Sequence, residues 1–82
     1  MNKTDKIIEI VRREMDVFIS PDTEITPDMN LAADLNVDSL DMVLVIEAIE
    51  NEFGITIPNE ELYEIRTISD MENKIDELLA QK

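Results

Sequence analysis

Eighty-two residues suffice for one small domain, close to the lower size at which a single core sustains a fold unaided. The chain has no cysteine and no histidine, which removes disulfides and the usual zinc ligand sets. Its formal net charge of −13 argues against nucleic-acid binding, because phosphate contacts need lysine and arginine. No apolar run approaches the roughly 20 residues of a membrane span, and Glu9 breaks the Ile7 to Ile10 run far short of a signal sequence. The expectation is a soluble cytoplasmic protein whose core comes from packing alone.

Thr4-Asp5 opens an amphipathic pattern in which Ile7, Ile10, Val11, Met15 and Phe18 recur at spacings of three and four, predicting a helix from about residue 4 to 18. Ser20-Pro21-Asp22 stops it, since proline cannot continue a helix and restricts the residue before it. Residues 20 to 38 hold two prolines, several turn formers and only short apolar pieces: Ile25, Met29, Leu31 to Ala33, Leu35 and Val37. A connection this long inside a compact domain is unusual and often functional. Its scattered apolar side chains predict that it packs down, with room for a helical turn at Asp28 to Ala33.

The second helix is predicted from Ser39 to Phe53, closed by Gly54, the only glycine in the chain, as a left-handed C-cap. "ITIP" follows as an extended link, and Asn59 is placed to cap a short helix over Glu60 to Ile65 with Leu62 and Ile65 as its apolar side. Thr67 or Ser69 starts the last helix, in which Ile68, Met71, Ile75, Leu78 and Leu79 keep one face. The expected fold is all-α: a four-helix bundle with three longer helices, one short third helix and a long loop between helices one and two, in a single domain over 1–82.

Charge is segregated along this plan. Lys3, Lys6, Arg12 and Arg13 lie near the start and Arg66, Lys74 and Lys82 near the end, with no base between Arg13 and Arg66. Solubility alone accounts for many acidic proteins; the segregation here points to a negative face that steers basic partners. On a helical wheel the second helix turns Met42, Val45, Ile46, Ile49 and Phe53 to one side as core, and Leu40, Asp41, Leu44, Glu47, Asn51 and Glu52 to the other. Leu40 and Leu44 therefore face outward among acids beside Ser39, as a docking patch or as a surface that the long loop or the third helix covers.

Ser39 can be weighed in three ways. As a nucleophile it lacks a histidine base, and a small acidic bundle offers little pocket, so no catalytic residue is assigned. As part of a calcium loop, Asp34, Asn36 and Asp38 match the first, third and fifth ligand positions, but Ser39 stands at the glycine position and Val45 at that of the bidentate glutamate, so no metal site is assigned. As an N-cap, a task Asp38 could share, it would be ordinary, but capping explains neither the exposed leucines nor the long loop that presents it. Covalent attachment fits better, because a phosphodiester on its oxygen would sit at a helix N-terminus that favours anions.

"DLNVDSLDMVLVIEAIENEFGITIP", residues 34 to 58, resembles the acyl carrier protein family, whose signature is Asp-Ser-Leu at the start of the second helix. The likeness extends to the amphipathic first helix, the long loop, Glu-x-Phe-Gly, the acidic residues after "IP" and the last helix. It implies that Ser39 carries 4′-phosphopantetheine from coenzyme A, installed by a phosphopantetheinyl transferase that recognises Asp38 and Leu40, and that the arm presents acyl thioesters as a monomeric, non-catalytic carrier. It further implies that acids of the second helix, with Asp41, Glu47, Glu50 and Glu52 as candidates, meet basic patches on acyl-transferring and chain-extending enzymes of fatty-acid, polyketide or related lipid synthesis. Leu44, outward on the wheel, joins that docking face as an apolar contact. Val43, Ile46, Ile57, Leu62 and Ile65 are the implied lining of an acyl pocket between the second and third helices. Asn36 stands where the family usually has glycine, and asparagine is the next-best residue for a positive φ. Leu44 replaces a usual glutamate and Glu47 a usual apolar residue, which favours a specialised over a housekeeping carrier. The Gly-Gly common in peptidyl carriers is missing; a D-alanyl or aminoacyl carrier, or an unmodified helical interaction module, stays open.

With so few bases against 20 acids, screening should relieve self-repulsion. Raising salt, or adding millimolar Mg²⁺ or Ca²⁺, is expected to raise the melting temperature in a thermal scan; a flat or falling response would show no electrostatic strain.

Overall fold

Helix α1 (Lys3–Glu14) starts at Asn2, whose side chain accepts a hydrogen bond from the Asp5 N–H at 2.8 Å, and it buries Ile7, Ile10 and Val11. The computed structural model describes residues 2–17 and 19–81; Phe18, assigned from sequence to the first helix's apolar stripe, lies outside them. The helix stops at Glu14, short of the expected end: Met15 is the C-cap, its N–H bonded to the Val11 carbonyl, and its side chain still reaches the core.

The long connection packs down, with Ile19, Ile25, Leu31, Leu35 and Val37 all buried. Arg12 ties it to α1, donating to the carbonyl oxygens of Thr23 at 2.6 Å and Ser20 at 3.4 Å. Two backbone bonds tie it to the far end of the chain, from Leu31 N to Arg66 O at 2.8 Å and from Ser69 N to Pro27 O at 2.9 Å, beside an isolated bridge between Asn30 and Thr67. The helical turn lies slightly later than Asp28 to Ala33, because Asn30 acts as its cap. The Asn30 side chain accepts from Ala32 N and Ala33 N, the Asp34 carboxylate accepts from Asn30 N, and Asp34 N closes on Asn30 O at 2.8 Å. Asn36 then takes φ 59°, the left-handed region, and so turns the chain into the second helix.

Helix α2 (Ser39–Phe53) runs between Asp38 as N-cap and Gly54 as C-cap at φ 65°. Val45, Ile46 and Ile49 are buried; Met42 and Phe53, expected in the core, are only half-buried because each borders an open cleft. The next element is a 3₁₀ helix (Asn59–Glu64) whose cap position is Pro58, with no capping side chain. Asn59 is thus its first residue and not its cap. Pro58 already supplies a preset φ of −59°, and its carbonyl accepts from Glu61 N at 2.9 Å, the i→i+3 bond that defines the tighter helix.

Helix α3 (Ile68–Ala80) opens with a capping box: Thr67 Oγ1 accepts from Asp70 N at 3.0 Å, and the Asp70 carboxylate accepts from Thr67 N at 3.1 Å. It buries Ile68, Met71, Lys74 and Ile75. Helix α1 packs against both α2 and α3, while Lys3 reaches Asp76 at 2.6 Å and Lys6 reaches Glu52 at 3.7 Å. Among the described residues the architecture is all-helical, without a strand, and no helix is long and apolar enough to cross a membrane.

Lys74 departs from the pattern, a charged residue only 7% exposed on the apolar face of α3. Its ammonium meets Glu61 at 2.5 Å and Glu64 at 3.7 Å on the 3₁₀ helix, and Glu77 at 3.4 Å on its own helix. The hydrogen bond to Glu61, outweighing the opposing effect of burial, holds that ammonium above its ordinary 10.5. A raised lysine contributes stability in full below its unfolded value near 10.5 and loses it as pH climbs through the higher folded value.

The positive φ at Asn36 generates a specific expectation. Asn36→Gly should leave stability nearly unchanged, whereas Asn36→Val should cost about 1–2 kcal/mol, the ordinary left-handed penalty. Denaturant melts of the two variants compare them directly, and equal midpoints would contradict the assigned conformation.

Candidate functional site

The turn at Asn36 delivers Asp38 in extended conformation, φ −86° and ψ −177°, at the head of α2. Its carboxylate accepts from Asp41 N at 2.9 Å, so Asp38 caps the helix and places a negative charge at the positive end of the helix dipole. The capping role considered for Ser39 therefore belongs to Asp38. Ser39 is the first helical residue, exposed, and its hydroxyl makes no hydrogen bond among the described residues. With no base bonded to it, that oxygen is available to another catalyst's chemistry and lacks the activation to start its own.

The flank of α2 beside Ser39 is open. Leu40 is 78% exposed and Leu44 51% exposed, so neither the loop nor the 3₁₀ helix covers them. Leu44, Glu47, Asn51 and Glu52 form one wall of a shallow groove of about 380 Å³, with Arg13 and Glu14 of α1 on its other side. Asp41 is half-buried and Glu47 exposed. Glu50, grouped from sequence with the docking acids, is engaged elsewhere: its carboxylate accepts from Ile57 N at 2.7 Å, and its carbonyl accepts from Gly54 N and Ile55 N. It closes the turn after α2, because the chain must reverse there and the Ile57 N–H needs a partner.

On the opposite flank lies a half-open apolar cleft of about 460 Å³. Ser39, Met42 and Val43 line it from α2, and Asn59, Leu62 and Tyr63 from the 3₁₀ helix. Of the five residues expected to line a pocket, Val43 and Leu62 do so. Ile46, Ile57 and Ile65 do not line it and are buried in the core, Ile65 bordering a separate cavity of about 370 Å³ with Leu31 and Met42. Sequence reasoning missed Met42, Asn59 and Tyr63. The three-residue period of the 3₁₀ helix sets Asn59 and Leu62 in one row, a period that the six residues do not reveal in the sequence. The calcium-like triad is dissolved into local structure: Asp34 bonds Asn30 N, Asn36 turns the chain and Asp38 caps α2.

The family model described as "Phosphopantetheine attachment site" matches residues 5–75. The acyl carrier protein of Thermosynechococcus vestitus is 40% identical over 81 residues, which cover 98% of this chain and 99% of that one. The acyl carrier protein homolog of Mycoplasma genitalium is 40% identical over 48 residues, 58% of this chain and 57% of the relative's length. The solved structure of a candidate acyl carrier protein from Mycobacterium tuberculosis superposes with a TM-score of 0.78 at 27% identity, covering 89% of this chain and 93% of that one. These relationships bring with them a covalently attached 4′-phosphopantetheine and a non-catalytic carrier. A serine that is exposed, unbonded and beside an apolar cleft at a helix start is chemically suited to that cofactor. Sequence along nearly the whole chain and the shared helical bundle agree, and this chain belongs to the acyl carrier protein family.

Proposed function

We propose that Ser39 is the attachment point and that the chain works as one acyl-carrier domain over 1–82, a monomer that presents acyl groups to separate enzymes. The observation that carries this reading is the Ser39 hydroxyl, exposed and relieved of capping by Asp38. When bound, the phosphopantetheine arm supplies a terminal thiol that holds acyl groups as thioesters, the thiol this cysteine-free chain lacks.

The chain's own residues would do the rest. Asp38 fixes the helix start, so the Ser39 oxygen stays outside the helix and reachable by a phosphopantetheinyl transferase. The amides and dipole at the head of α2 favour the phosphodiester anion that attachment leaves there. Leu40 offers that transferase an apolar contact next to the serine. Asp41 and Glu47 draw in basic docking patches, and Leu44 replaces one charge contact with an apolar one at the centre of that face. Glu50 holds the turn that leads to the 3₁₀ helix. Val43 and Leu62, together with Met42, give an acyl chain an apolar wall, which supports an acyl over an aminoacyl cargo. The exposed Leu44 supports a specialised carrier in fatty-acid, polyketide or related lipid synthesis, with partners distinct from those of general fatty-acid carriers.

Incubation with coenzyme A and a broad-specificity phosphopantetheinyl transferase should add the mass of one arm to the intact protein. Ser39→Ala should fold normally and add none; an alanine variant that still gains the arm would overturn the assignment.

Leu44→Glu should change stability by no more than about 0.5 kcal/mol, as for an ordinary exposed substitution. It should improve turnover by general fatty-acid synthase enzymes and weaken binding to the native partner. A denaturant melt together with paired kinetics checks both halves, and a large loss of stability would remove Leu44 from the docking face.

A further inference from the structure

Five large apolar side chains stand exposed among the described residues: Val17, Leu40, Val43, Leu44 and Tyr63. Four of them flank Ser39. Leu40 and Leu44 rise on one side of α2, while Val43 and Tyr63 line the cleft on the other, with Ser39 in the wall of that same cleft. Single apolar residues scattered over a surface are ordinary, but a cluster about one reactive atom marks a face that a partner covers.

Tyr63 stands out within this cluster. It is the one aromatic member and the most exposed of the four, at 83%, and its hydroxyl makes no hydrogen bond among the described residues. So exposed a ring contributes little to the packing of the bundle. Tyrosine is favoured where proteins meet, because it offers a large rigid face with few rotatable bonds and a polar tip. Glu60 and Glu64 near it are exposed, which sets the ring inside an acidic rim.

The ring is also presented on a held backbone. The 3₁₀ helix has no capping side chain, but Glu61 and Glu64, on either side of Tyr63 in sequence, reach the Lys74 ammonium at 2.5 and 3.7 Å. Lys74 is itself buried in the face of α3 between Met71 and Ile75. A partner that takes the ring therefore has less chain to order on docking.

Whatever joins a group to the Ser39 oxygen must bring its own reacting groups against that atom, so its surface spans both sides of the serine. On one side it meets Leu40, on the other Tyr63. We propose that Tyr63 is an anchor for the phosphopantetheinyl transferase, its ring entering an apolar hollow with a basic rim on that enzyme. This rests on Ser39 as the attachment point. The acids of α2 draw the transferase in, and the tyrosine fixes how it sits across the cleft.

The test follows arm transfer from coenzyme A by a broad-specificity transferase, read as intact mass against time over a range of carrier concentrations. Wild type is compared with Tyr63→Ala, Tyr63→Phe and Val17→Ala. Val17 is 84% exposed but lies in the turn after α1 and does not line the Ser39 cleft, so it controls for loss of any exposed apolar side chain. All four chains should melt at the same temperature, because neither side chain is buried. Tyr63→Ala should raise KM for the carrier about tenfold while kcat stays within about twofold, the pattern of a lost binding anchor. Tyr63→Phe and Val17→Ala should match wild type. Binding is read separately by using Ser39→Ala as a competitive inhibitor of transfer to wild type; adding Tyr63→Ala to it should raise the inhibition constant by the same factor. Wild type that loads while Tyr63→Ala loads equally well overturns the anchor alone. So does a loss confined to kcat, an equal loss in Val17→Ala, or a loss in Tyr63→Phe as large as that in Tyr63→Ala. Wild type that takes up no arm overturns the Ser39 reading and the anchor with it.

Discussion

The hydrogen bond from Asp41 N to the Asp38 carboxylate decides where α2 begins, and most of the site follows from that register. Residues on a helix are separated by about 100° around its axis, so a start displaced by one residue would turn each side chain through that angle. With the start at Ser39, Val45, Ile46 and Ile49 enter the core and Leu40 and Leu44 leave it. The cap also separates two duties that one residue cannot hold together. A serine whose oxygen caps its helix has that oxygen bonded to a backbone amide; with aspartate in the cap, the serine one position later is unbonded.

The bases do a different job from the acids. Lys3 and Lys6 join α1 to the other helices, Arg12 gathers the loop and Lys74 holds the 3₁₀ helix. These cations are bound into the architecture, so the acids of the central segment keep most of their field. That field extends over roughly a Debye length from the surface. Segregation of charge along the sequence thus becomes a division between what fastens the bundle and what faces outward.

Local signals in the sequence were legible where a single residue carries the information. Gly54 and Asp38-Ser39 bound α2, Thr67 begins α3, Asn36 turns through a positive φ, and the wheel turned Leu40 and Leu44 outward. What escaped depends on contacts between distant residues. A lysine is expected on the surface, and nothing near Lys74 in sequence announces Glu61, 13 residues away on another element. The engagement of Glu50 by Ile57 N is likewise a property of the returning chain. The pocket residues show a further limit: periodicity marks Ile46, Ile57 and Ile65 as inward, but inward includes both a cleft wall and the core. A six-residue apolar pattern also does not separate a 3₁₀ from an α-helix, which is why Asn59 read as a cap.

The last turn of α2 contains Glu50 and Glu52 and no basic residue. Negative charge at the carboxyl end of a helix opposes its macrodipole, so the helix is weakened by its own acidity at that end. Gly54, the Glu50 bond to Ile57 and the ammonium of Lys6 beside Glu52 offset this without removing it. Linkage then fixes the sign of a coupling: a cationic surface that settles against this end relieves the conflict, and must stabilise the folded helix by as much as the folded helix strengthens its binding. A helix that keeps this conflict in its last turn would be firmer against a basic surface than alone, to the extent that Lys6 of α1 does not already answer it at Glu52.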